Sequence, residues 1–253
     1  SRGLGDVYKR QFYSFNLNYQ ELMQLVDLGY IKELSPKLLG QMVPWQIRIR
    51  SSNSKEEETF DSSPLLKREI TLKEHIWYVF EYESNLGYLD DCAKRAYKEG
   101  ITVQDESFSA ILYRFSLDGH LDRNRLLRAT LSTFNRSFKK DMVNWFAGLF
   151  EELQPRAEEL ISLQEEIMQV FTSPYTKPVN VMLQQLKKIA SEGGFRYQEF
   201  IERATTLFFS SPKNSLLTIY SIFEQIVAGH PEMKEACCIP VSYTHLTLPT
   251  ICS

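Results

Sequence analysis

Residues 117–155 read LDGHLDRNRLLRATLSTFNRSFKKDMVNWFAGLFEELQP. Leu127, Leu131, Phe134 and Phe138 recur at i, i+4, i+7 and i+11, and Met142, Phe146, Leu149 and Leu153 repeat that spacing. Each set is one apolar stripe of an amphipathic helix. Gly119 precedes the pair and Gln154-Pro155 ends it, and both are helix-stop signals. A hairpin of two such helices leaves apolar surface uncovered until a neighbour packs on it. The rest of the chain supplies neighbours of the same kind.

Toward the C-terminus, Leu160, Leu163, Ile167 and Phe171 form the next stripe. Val179, Met182, Leu183, Leu186 and Ile189 follow, then Phe200, Ala204 and Leu207, and finally Leu216, Tyr220, Phe223 and Val227. Ser173-Pro174, Lys177-Pro178, Gly193-Gly194, Ser211-Pro212 and Gly229-His230-Pro231 punctuate them. These signals predict three helical hairpins over 121–154, 155–193 and 194–229. Each is about 34 to 40 residues long, the unit length of helical repeat arrays. The hairpins share no visible sequence identity, so the repeat rests on length and period.

Toward the N-terminus, Phe108, Ile111, Leu112 and Phe115 mark a helix. Tyr88 to Lys98 marks another, closed by Gly100, and Leu72, Ile76, Val79 and Phe80 a third. SSNSKEEETFDSSP, residues 51–64, is polar and almost free of large apolar residues, which predicts a flexible linker. WQIRIR, residues 45–50, alternates apolar and polar and predicts a lone strand. Leu22, Leu25 and Val26 predict a short helix ended by Gly29. Ser35-Pro36 predicts the start of another, reaching Leu39.

Gly119, Leu121, Asp122, Arg123, Leu126 and Leu127, then Trp145-Phe146, Leu153 and Pro155, resemble a bacterial family of unknown function whose large proteins carry HEAT-like repeats. PVNVMLQQLKKI, residues 178–189, fits the same pattern, and the resemblance covers roughly 71–238. It implies an α-solenoid and brings no catalytic residues. The expected fold is therefore all-α: a right-handed α-solenoid of antiparallel helical hairpins, HEAT-like, over 65–239, with a small mixed region over 12–50.

The two ends read differently. Ser1–Gln11 and Val241–Thr250 back-translate, with ordinary codons, into sequencing-library adapters. Residues 1–11 and 240–253 are thus expected to be non-native tails flanking a fragment of a longer protein. The whole chain carries a net charge of −3, and omitting Arg2, Lys9, Arg10 and Asp6 takes it to −5. Such acidity disfavours phosphate-backbone binding, which needs clustered cations. Of the four cysteines, Cys252 falls in a tail, and Cys92, Cys237 and Cys238 fit neither a disulfide framework nor a zinc site. No run of about 18 apolar residues predicts a membrane span. A hydrophobic content of 43% is enough for a sizeable core.

Candidate chemistry is sparse. His75, His120 and His230 lack a partner at i+3 or i+4, and no phosphate loop or nucleophile elbow is present. Glu74 and Glu81 with Asp90 and Asp91 could in principle pair as acid and base, but nothing pushes their pKa values apart. Trp77, Tyr78, Phe80 and Tyr82 read as core. The remaining candidates form a possible interaction surface: Asp122, Arg123, Arg125, Arg128, Arg136, Lys139 and Lys140. Asp122 is placed to cap a helix, Arg123 to pair with a neighbouring helix, and the other cations to form an outward stripe. The function expected is a non-enzymatic, cytoplasmic scaffold for a protein partner, without cofactor, metal, small molecule or membrane. The alternatives are a nucleic-acid-binding array using the stripe at 123–140, and a non-catalytic part of a larger enzyme.

Overall fold

The computed structural model describes residues 17–50, 58–209 and 212–242. Residues 1–11, 51–57 and 243–253, which hold most of the expected tails and half of the expected linker, lie outside them. The described chain is predominantly helical, with one two-stranded sheet. It divides into two compact units, Ser1–Leu121 and Asp122–Ser253. That division falls within 65–239, the span expected to be one repeat domain.

In the first unit, helix α1 (Tyr19–Asp27) opens with a capping box. Asn18 Oδ1 accepts from the Glu21 N–H at 3.0 Å, and Glu21 Oε2 accepts from the Asn18 N–H at 2.8 Å. Its buried face is Tyr19, Leu22 and Met23, whereas Leu25 and Val26 are only half-buried. Helix α2 (Pro36–Met42) starts at proline, as expected, and runs past Leu39. A 3-10 turn, Pro44–Ile47, leads into strand β1 (Arg48–Arg50). β1 is not alone. It pairs antiparallel with β2 (Glu58–Phe60), with Arg48 opposite Phe60 and Ile49 opposite Thr59. The linker expected over 51–64 is therefore structured from residue 58 onward, and helix α3 (Ser63–Leu66) follows at once. Two apolar residues do this: Phe60 is buried and Leu65 fully so. Arg48 adds three hydrogen bonds to the Glu58 carboxylate and lies over the Trp45 ring.

Helix α4 (Glu69–Lys73) gives way to a 3-10 helix over His75–Phe80, where a continuous α-helical stripe is predicted. The sequence HIWYVF is β-branched and aromatic, poor in helix formers, and its residues are buried on several sides rather than along one stripe. α2 packs directly on it. A Cβ at Gly40 would sit 2.7 Å from the Tyr78 carbonyl oxygen, so only glycine permits that approach. Helix α5 (Leu86–Lys98) then supplies the buried Asp90, which accepts from the N–H groups of Phe108 (2.6 Å) and Ser109 (3.4 Å). It thereby caps helix α6 (Phe108–Leu117) from a distance. Gly119, at φ +78°, closes α6, and the Leu121 N–H reaches back to the Phe115 carbonyl.

The second unit is three helix pairs in chain order. α7 (Arg123–Ser132) precedes α8 (Lys140–Glu152). α9 (Ala157–Gln169) precedes α10 (Thr176–Ile189). α11 (Tyr197–Thr205) precedes α12 (Lys213–Gly229). A last helix, α13 (Lys234–Ser242), follows. Each first helix packs on its own second helix, α7 packs on α9, α8 on α10, and α10 on α12. The predicted stripes are the buried ones: Leu131, Phe146, Leu163, Leu183, Ile189, Phe200 and Phe223 are all nearly or wholly buried.

One feature recurs in all three pairs. Each first helix ends in a 3-10 turn: Thr133–Asn135, Val170–Thr172 and Thr206–Phe209. In each turn a threonine hydroxyl donates to the carbonyl three residues back: Thr133 to Thr130, Thr172 to Gln169 and Thr206 to Arg203. Each turn also buries a phenylalanine: Phe134, Phe171 and Phe208. The hydroxyl competes for a backbone carbonyl and tightens the last turn.

Candidate functional site

The structure gives the seven residues expected as an interaction surface different places and partners. Asp122 is the N-cap of α7, its Oδ1 accepting from the Arg125 N–H at 2.6 Å. Arg123 turns inward to α9. Its Nε donates to Glu159 Oε1 at 2.6 Å, and its Nη2 donates to Glu159 Oε2 at 3.0 Å and to the Leu153 carbonyl at 2.8 Å. Both side chains are largely buried, at 15% and 20% exposure. Burial raises the Glu159 pKa, but the Arg123 hydrogen bonds, the Arg156 N–H and both arginine charges outweigh it and hold the carboxyl below its ordinary value. Arg128 pairs with Glu166, also on α9. Arg125, Arg136, Lys139 and Lys140 are exposed.

The outward basic stripe presumes that one helix runs from 125 to 136. α7 stops at Ser132, where the 3-10 turn takes over, so Arg136 and Lys139 lie in the connection to α8 rather than below Arg125 and Arg128. The other candidates disperse as well. Asp90 caps α6, Glu74 accepts from the Tyr78 hydroxyl, and His75 is buried against Tyr19. Among the described residues, no group of His, Cys, Asp and Glu is placed to hold a metal ion, and no helix is long and apolar enough to cross a membrane. Cys92, Cys237 and Cys238 are not disulfide-bonded.

What the second unit does offer is a groove between α8 and α10, of about 570 Å³. Lys140, Asn144 and Glu151 line it from α8, and Tyr175, Lys177, Asn180 and Gln184 from the α10 side. Lys140 is the one member of the expected surface that reaches it. The walls are polar and carry both signs of charge. Asn144 Oδ1 is buried and has no hydrogen-bond partner. Asn180 stands at the corresponding place on the next second helix, and its Oδ1 accepts from the Ser215 hydroxyl on α12. Gln184 donates to Thr218 Oγ1 at 2.9 Å, again on α12. Asn144 and Asn180 fall between the apolar positions of stripes that were legible in the sequence. The signal that locates them is their spacing, about one repeat unit.

The sequence profile of Domain of unknown function (DUF6493) matches residues 4–214. The chain belongs to the DUF6493 family. The DUF6493 match covers the N-terminal region to which the resemblance over 71–238 did not extend, and it stops at the start of α12. No curated protein and no solved structure matches the chain.

Proposed function

We propose that this DUF6493 chain is a non-enzymatic scaffold, part of a larger bacterial cytoplasmic protein. Its second unit is a HEAT-like α-solenoid that receives a segment of a protein partner along α8, α10 and α12. The hydrogen bonds that cross between helices in that unit support the repeat reading. Arg123 reaches Glu159, Arg128 reaches Glu166, Arg196 reaches Glu165, Gln184 reaches Thr218 and Ser215 reaches Asn180. Their separations run from 31 to 38 residues, one repeat unit each. The recurring threonine turn supports it again.

The observation that carries the binding role is the groove, with its unpartnered Asn144 oxygen. An extended peptide offers an N–H and a C=O at every residue, and side-chain amides can take both. Lys140 and Lys177 favour acidic side chains on the guest. The nucleic-acid alternative has less support, because Arg123 and Arg128 already face carboxylates.

Selection of a random peptide library displayed on phage against the full chain tests this. Enriched peptides should share a pattern, carry Asp or Glu, and bind Lys177→Glu and Asn180→Ala variants at least about tenfold more weakly. An unenriched library, or peptides indifferent to both substitutions, would refute the reading.

A further inference from the structure

The first unit contains a separate cavity of about 450 Å³, between α1, α2 and the segment before α5. That volume lies in the range of small-molecule sites. Leu22, Leu38, Met42 and Trp45 give it apolar walls, and Gln46 and Ser84 supply polar groups. Gln46 Nε2 and Ser84 Oγ are both buried and both lack a hydrogen-bond partner. Buried polar groups are rarely left so, and two on the wall of one cavity call for an explanation.

The orientation of the Gln46 amide follows from chemistry. Arg68 can only donate, and its Nε donates to Gln20 Oε1 at 3.2 Å. Gln20 must therefore present its Nε2 on the other side, where it donates to Gln46 Oε1 at 2.7 Å and to the Pro64 carbonyl at 3.1 Å. Gln46 is left with its NH2 as the unmatched group. A donor fixed in this way needs an acceptor, and the Ser84 hydroxyl needs a partner of its own. Next to Ser84, α5 begins without a side-chain cap, which also favours negative charge at that end.

We propose that this cavity binds a small organic acid: a carboxylate on an aliphatic or aromatic stem. The stem lies among Leu22, Leu38, Met42 and Trp45. One carboxylate oxygen accepts from Gln46 Nε2, and the other accepts from the Ser84 hydroxyl. Neither polar atom is reached by water in the present arrangement, so entry of the acid requires both Ser84 and Gln46 to turn toward the cavity. This site belongs to the first unit alone, and the scaffold reading does not depend on it.

Titration of the 15N-labelled full chain with phenylacetate and with hexanoate, followed by NMR, provides the test. The Trp45 indole N–H and the Gln46 side-chain NH2 should shift saturably with either acid. 2-Phenylethylamine, of similar shape and opposite charge, should bind on the order of tenfold more weakly or not at all. Gln46→Glu keeps the acceptor for Gln20 but turns the free donor into an acceptor, and should weaken both acids by about tenfold or more. Leu38→Trp fills the cavity and should abolish binding while the spectrum stays dispersed, which decides the matter if Gln46→Glu fails to fold. The proposal falls if neither acid gives a saturable shift, if the amine binds as well as the acids, or if binding survives Leu38→Trp.

Discussion

The two units of this chain solve one problem in different ways. In the second unit, polar contacts between helices join residues 30 to 38 positions apart, from Arg123 with Leu153 to Arg128 with Glu166. In the first, the separations have no common interval: 10 for Arg48 with Glu58, 18 for Asp90 with Phe108, 26 for Gln20 with Gln46 and 56 for Tyr19 with His75. One unit repeats a local solution, so each helix pair meets the next pair in the chain. The other closes distant segments on each other, so its stability rests on single side chains in unique places. The groove between α8 and α10 and the cavity beside Trp45 follow that division.

The largest effect that probes this contrast is a cavity in the regular unit. Leu131→Ala should cost roughly 2–5 kcal/mol in urea unfolding, as a buried leucine does. Hydrogen exchange should quicken across α7 to α10 and leave α1 to α6 unchanged. Equal loss of protection in both units would end the two-unit description. The counterpart in the irregular unit is Gly40→Ala, which drives a methyl group into the Tyr78 backbone and should cost about 1–3 kcal/mol. Exchange should then quicken in α2 and the His75–Phe80 turn. A neutral Gly40→Ala would mean that this close approach is not needed.

Next comes the contrast between two ion pairs of the same regular unit. Arg123→Ala should cost about 1–2 kcal/mol, because it strands a largely buried Glu159. Arg128→Ala, whose pair with Glu166 is more exposed, should cost about 0–1 kcal/mol. A double-mutant cycle for each pair separates coupling from side-chain loss, and equal coupling energies would show that burial does not rank these contacts.

The smallest effect is the pH response. Burial lowers the His75 pKa below its ordinary 6.5, against a weaker opposing pull from Glu74. The unfolded chain then binds a proton more readily than the folded one, so stability is lost as pH falls through and below about 6.5. Glu159 is also depressed, and its contribution is present above the ordinary value of 4.5 and lost as pH falls through the folded value. The first unit should therefore soften at a higher pH than the Arg123–Glu159 contact, as read by exchange rates between pH 7 and 4. A His75→Gln variant should remove the early loss. The reverse order would contradict the burial of His75 beside Tyr19.

The helices of the second unit were legible because their apolar spacing maps directly onto buried faces, as Leu127, Leu131, Phe146 and Ile189 show. Asp122 was legible as a cap, and Arg123 as a cross-helix partner, because both roles depend on position relative to a helix start. The basic stripe was not, because a 3-10 turn of Thr133–Asn135 breaks the register that it presumes. Neither was the sheet. β2 is three residues in a polar stretch, and what fixes it is Phe60 finding a buried place.

The sequence by itself determined where most helices of this DUF6493 chain lie, which of their faces are apolar, and where the repeat-length pairs begin and end. Periodicity and chain breakers act within a few residues, so local sequence carries that information. Only the tertiary structure decided which polar groups are satisfied. Arg123 and Glu159, Gln20 and Gln46, and the unmatched Asn144 and Ser84 are set by segments that meet across tens of residues. A hydrogen bond depends on distances of a few tenths of an ångström, which no spacing along the chain specifies.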